Sequence, residues 1–95
     1  MIPKVLNPKA LRDWLIANPD IELTVWDTRK CLFAQFLRAN GYPEANFGID
    51  YFWLKESLWD GGMIPAPEWT RAVQRKVYPG GRPRQVLSAL DALGL

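Results

Sequence analysis

Ninety-five residues with 48% hydrophobic and 23% charged side chains describe one folded domain, not a disordered chain. There is no histidine and one cysteine, which excludes Ser-His and Cys-His catalysis, imidazole metal ligation and an intramolecular disulfide. The net charge of +2 is too small to argue for nucleic-acid binding by the chain as a whole.

Met1 to Leu6 is a short extended lead with no signal-peptide pattern. Asn7-Pro8 starts a helix: Asn caps it, and Pro sits in the first turn, where its missing N–H costs nothing. That helix runs from Pro8 to about Ala17, with Leu11, Trp14 and Leu15 on one face, and Asn18-Pro19-Asp20 stops it. Ile21 to Trp26 alternates Ile, Leu and Val against Glu, Thr and Trp, the pattern of a short half-buried strand.

The central helix follows, with Asp27 as its cap and Gly41 as its left-handed stop. Between Cys31 and Ala39 only Gln35 and Arg38 are polar, and a helix apolar nearly all round is a buried one. The rest of the chain is expected to pack on it. Asn46 to Leu54 has two readings. As a strand it aligns Phe47, Ile49, Tyr51 and Trp53; as a helix from Asp50 it stacks Leu54 on Leu58, with Gly61 as the stop. The favoured version is a short strand over Phe47–Ile49 or a little beyond, then a helical turn through Leu58. Asp60 to Pro67 is a loop rich in Gly and Pro.

A third long helix is expected from about Pro67 to Val77, with Trp69, Val73 and Val77 facing in and Ala72 beside them. Tyr78-Pro79-Gly80-Gly81 ends it. The last helix starts near Pro83, turns Val86, Leu87, Leu90 and Leu93 inward and stops at Gly94. The fold class is α+β: one domain over 1–95, with about four helices around a central buried helix and a minimal strand pair. Phe33, Phe36, Leu37, Leu11, Trp69, Val73 and Leu90 are its expected core.

No motif in the chain specifies a chemistry. Cys31 stands behind Arg29 and Lys30 near a helix start, a setting that can activate a thiol. Its apolar neighbours favour the plainer reading of a buried, inert residue. Arg29 and Lys30 oppose the helix dipole, which makes them a candidate anion site or two solvated side chains. Asp50, Glu56 and Asp60 are carboxylates whose spacing fixes no catalytic pair. A basic zone ends the chain: Arg71, Arg75, Lys76, Arg82 and Arg84 stand against Glu68 and Asp91. Arg71 and Arg75 are four apart on one helix, and Arg82 and Arg84 open the next. These four arginines are expected to converge with few acids nearby, either as a binding patch or as a solvated face.

Three function classes remain. A protein-binding module, adaptor or inhibitor, needs no catalytic set, and Trp, Tyr and Arg are plentiful here. Its partner-binding residues would be Arg71, Arg75, Arg82, Arg84, Tyr51 and Trp53. The alternative is a nucleic-acid binder that uses the basic helix pair in helix-turn-helix fashion, with Arg84, Gln85 and Ser88 reading bases and Asp91 opposing. An enzyme ranks last, because no nucleophile–base pair can be named. The expectation is therefore a small cytoplasmic binding protein without cofactor, metal or membrane association. Its size and composition are those common among phage and mobile-element accessory proteins.

Overall fold

The computed structural model describes residues 2–25, 27, 30–55 and 62–95. Within these, four helices and five short strands run in the order α1 (Pro8–Ala17), β1 (Leu23–Thr24), α2 (Leu32–Ala39), β2 (Asn46–Phe47), β3 (Tyr51–Trp53), β4 (Ile64–Pro65), α3 (Glu68–Val77), β5 (Gly80–Gly81) and α4 (Pro83–Ala92). The α+β class holds, but the strands form two small antiparallel sheets instead of one pair. β1 pairs with β5, and β2, β3 and β4 form a three-stranded sheet with β3 in the middle. The radius of gyration is 12.2 Å, that of a compact domain of this length (about 12 Å).

α1 begins and ends where its capping residues dictate. The Asn7 Oδ1 accepts the Ala10 N–H at 2.8 Å, and Asn18 caps the other end. Leu11 and Leu15 are fully buried, and Trp14 is half-buried with its edge against Phe36, ring centroids 5.5 Å apart.

α2 is shorter than its sequence suggests. The Asp27 carbonyl and carboxylate accept the Lys30 N–H, each at 3.2 Å, and the carbonyl also takes the Cys31 N–H at 2.8 Å. They thus cap a turn that precedes the helix. Cys31, extended at φ −69° and ψ 163°, is the true N-cap. Trp26, Thr28 and Arg29, from the expected strand end and helix start, lie outside the described residues. Gly41, at φ 102°, follows the helix as the left-handed residue. Leu32, Phe33, Ala34, Phe36 and Leu37 are all buried. The two polar side chains of the helix are spent on the backbone. Gln35 donates to the carbonyls of Glu22 (2.9 Å) and Lys30 (2.7 Å), and Arg38 to that of Ala45 (2.8 Å). The most extensive backbone packing between helices is α1 on α4 and α3 on α4, while α2 lies on β2.

The ambiguous stretch is a hairpin. Its chain reverses at 48–50, so Phe47 faces Phe52 across the strands, with the rings stacked 5.0 Å apart. Residues 51–53 are strand, not the expected helical turn. Leu54 and Lys55 are a bend, and the rest of that turn, residues 56–58, and the stop at Gly61 fall outside the described residues. Ile64–Pro65, read as loop, pairs with β3. Proline is tolerated there because β4 is an edge strand.

α3 buries Val73 and Val77 as expected, but also Thr70 and Gln74. Trp69 is only half-buried, set edge-on to Phe33 at 5.4 Å. α4 buries Val86 and Leu90 together with Pro83 and Ala89, whereas Leu87 is half-buried and Leu93 is exposed. Gly94, at φ 72°, ends it. Arg12 ties α1 to α4 through Asp91 at 2.9 Å and the Leu95 carbonyl at 2.6 Å. Among the described residues no helix is long and apolar enough to cross a membrane.

Candidate functional site

Residues alternate between the faces of a strand. In the three-stranded sheet, Phe47 and Phe52 therefore turn into the core, with Ile64 opposite Phe52. Tyr51 and Trp53 share the other face, and Pro65 lies directly across from Tyr51. Tyr51 is 46% exposed, Pro65 is exposed and Trp53 is half-buried. The all-strand alternative put Tyr51 and Trp53 on one face, as they are here, but put Phe47 with them. A period of two carries across an unbroken strand only, and the turn at 48–50 breaks it.

α3 brings Arg71 to the turn of this hairpin. Arg71 Nη2 reaches the Asp50 carbonyl at 3.5 Å, and its Nε lies 4.0 Å from the Asp50 carboxylate. Arg71 and Arg75 share Glu68, at 3.9 and 3.8 Å. Arg71 is thus a strap between α3 and the hairpin turn. Its side chain is partly buried, at 29% exposed. The expected scarcity of acids fails, because Glu68 stands one helical turn before Arg71. Asp50 is accounted for by this strap, and Glu56 and Asp60 lie outside the described residues.

Arg82 and Arg84 have different neighbours. Arg82 Nη1 donates to the Asp20 carbonyl at 2.6 Å, and Nη2 lies 3.6 Å from Glu22. Arg84 is exposed and makes no ion pair among the described residues. Both line a groove of about 590 Å³ between the C-terminal end of α1 and the start of α4, together with Leu15, Ile16, Asp20 and Leu87. The ion-pair partners of the two arginine pairs have no residue in common. The turn between the last two helices is also not free, since Gly80 and Gly81 are strand-paired with Thr24 and Leu23. The Gln85 side chain, considered for base contact, accepts the Arg82 N–H at 2.7 Å and so caps α4.

Of the candidate anion pair, Arg29 lies outside the described residues. Lys30 is exposed, one position before the N-cap of α2. Several N–H groups there already have partners: Cys31 N–H bonds Asp27, and Ala34 N–H bonds the Cys31 sulfur at 3.4 Å.

Cys31 is 1% exposed, and its thiol also donates to the Phe47 carbonyl at 3.2 Å. Burial pushes the thiol up to about 11 from its ordinary 9.0, opposite to what a nucleophile needs. Native protein should therefore react with a thiol reagent far more slowly than unfolded protein. The raised value also carries a pH dependence. Between pH 9 and about 11 the unfolded chain has released its thiol proton and the folded chain retains it. The stability set by the thiol is complete below pH 9 and falls as pH rises through that window, by on the order of 2–3 kcal/mol. Cys31→Ala should lack this part of the decline, as denaturant midpoints of the two proteins across the window will show.

Two buried polar groups in α3 escaped sequence reading. Thr70 Oγ1 donates to the Pro67 carbonyl at 2.6 Å, and Gln74 Nε2 to the Gly48 carbonyl at 3.2 Å. Their partners are backbone atoms, which no side-chain pattern announces. Among the described residues no group of three or more His, Cys, Asp or Glu is placed to hold a metal ion. Comparison with family models, curated proteins and solved structures finds no match.

Proposed function

We propose that this chain is a small protein-binding module, an adaptor or inhibitor that acts by occupying a surface of its partner. The observation that carries this reading is the solvent side of the three-stranded sheet. There Tyr51, Trp53 and Pro65 stand together, and Arg71 is tied to Asp50, the residue before Tyr51 in the chain. Tyr, Trp and Arg are the side chains that most often dominate binding energy, because each offers large contact area with a polar end. In this reading α2 is the central helix of the core behind the sheet, and its rigidity pre-organises the face. The chain itself is placed in the cytoplasm in this proposal, on the strength of its single, free cysteine.

Tyr51→Ser, exposed enough to leave the fold intact, should weaken binding of the isolated partner by roughly 2 kcal/mol or more if Tyr51 is an anchor. Trp53→Leu, which keeps apolar cover opposite the buried Asn46, should weaken it as well. Titration calorimetry with the purified partner measures both. Unchanged affinity in the two variants would remove the sheet face from the proposal.

A further inference from the structure

We infer that the groove between α1 and α4 docks a short acidic peptide segment of a partner protein, with an aliphatic side chain against Ile16 and Leu87 and a carboxylate on Arg84. The inference rests on the protein-binding reading but on residues remote in sequence from the sheet face.

The groove has the size and lining for such an occupant. Its volume of about 590 Å³ lies within the range of small-ligand sites, about 300–1,000 Å³. Its base is apolar, made by Leu15 and Pro83, which are buried, and Leu87, which is half-buried. Ile16 stands on its wall, 62% exposed, and extends the apolar lining toward solvent.

Charge decides the kind of occupant. Arg82 is held by the Asp20 carbonyl and Glu22, so its guanidinium is fixed on one rim and partly neutralised. Arg84 is exposed beside it, and with no ion pair among the described residues its two parallel N–H groups are open to a carboxylate. Asp20 is the acid in the lining, and it directs the carboxylate of the occupant toward the α4 side. A nucleic acid needs a row of cations along its phosphates. Here a single unpaired arginine sits over an apolar base, which suits one carboxylate next to one aliphatic group.

The groove is also a stable platform. Its walls are joined by Arg12 to Asp91 and by Arg82 to Asp20, so little ordering is needed on binding.

The test is a titration of isotope-labelled protein, followed by amide NMR shifts, with an acetylated and amidated hexapeptide of alternating glutamate and leucine. Saturable shifts are expected at Ile16, Asp20, Arg84 and Leu87, and they should weaken as salt rises. Arg84→Glu should reduce affinity roughly tenfold or more, and Ile16→Ser should reduce it too. Both positions are exposed, and an unchanged spectrum elsewhere verifies the fold. Tyr51→Ser should bind the peptide as the parent does, so failure of the sheet face and failure of the groove are told apart. The inference is overturned by absence of saturable shifts at millimolar peptide, or by full binding in Arg84→Glu. Equal binding of the peptide with lysine in place of glutamate, or displacement of the peptide by a DNA duplex, would also overturn it.

Discussion

Phe33→Ala is expected to cost about 3–5 kcal/mol of stability, the range for removing a buried aromatic ring. Phe33 is wholly buried on α2, and its ring meets Phe47 of β2 at 4.9 Å and Trp69 of α3 at 5.4 Å. One side chain therefore joins a helix, a strand and a second helix, and the cavity left by alanine opens where all three meet. Domains of this size hold only about 5–15 kcal/mol in total, so the loss is a large fraction of the whole. At about 4–8 °C per kcal/mol, Tm should fall by roughly 15–30 °C. Phe33→Leu, which keeps most of the volume, should cost less than about 1.5 kcal/mol. If α2 is the central helix, the alanine variant will show this loss in chemical denaturation; an unchanged midpoint would remove α2 from that role.

Gly80→Ala should be the second most damaging change, at about 2–4 kcal/mol, from strain at positive φ together with overpacking. Gly80 adopts φ 143°, a backbone conformation that side-chain-bearing residues rarely take. A Cβ there would run into the Leu23 carbonyl and come within 2.8 Å of the Thr24 Cα. Both obstacles are backbone of the paired strand β1, so relief requires the β1–β5 pair to part. Gly81→Ala is the informative contrast. Its Cβ would meet the Gln85 side chain, which can swing away at the cost of one cap on α4. A loss of about 1 kcal/mol is expected there. Equal losses at the two glycines, read from urea midpoints, would show that close approach to β1 is not what requires Gly80.

The contrast between these glycines also shows why the sequence disclosed some elements and hid others. α1 was legible because Asn7, Pro8 and Pro19 each carry a local reason to begin or end a helix. The inward stripes of α3 and α4 were legible at Val73, Val77, Val86 and Leu90, where apolar residues recur at helical spacing. β5 was not, because Gly80 and Gly81 have no side chains to show a pattern and are strand only by virtue of β1. Phe52 was hidden by a turn that reverses the face count, and Gln74 by a backbone partner 26 residues away. At the candidate site, the pairing of Tyr51 with Trp53 and of Arg71 with Arg75 followed from spacing alone. The tie from Arg71 to Asp50 and the groove shared by Arg82 and Arg84 did not, since both join elements far apart in the chain.

The most direct test of the binding reading is affinity capture from an extract of the native cell, with and without nuclease, followed by a salt titration of the retained material. Protein binding predicts a stoichiometric protein partner that survives nuclease treatment and is lost when Tyr51→Ser replaces the parent chain. Retention of nucleic acid instead, abolished by nuclease and weakening steeply with salt, would contradict that reading and favour the basic helix pair as a nucleic-acid interface.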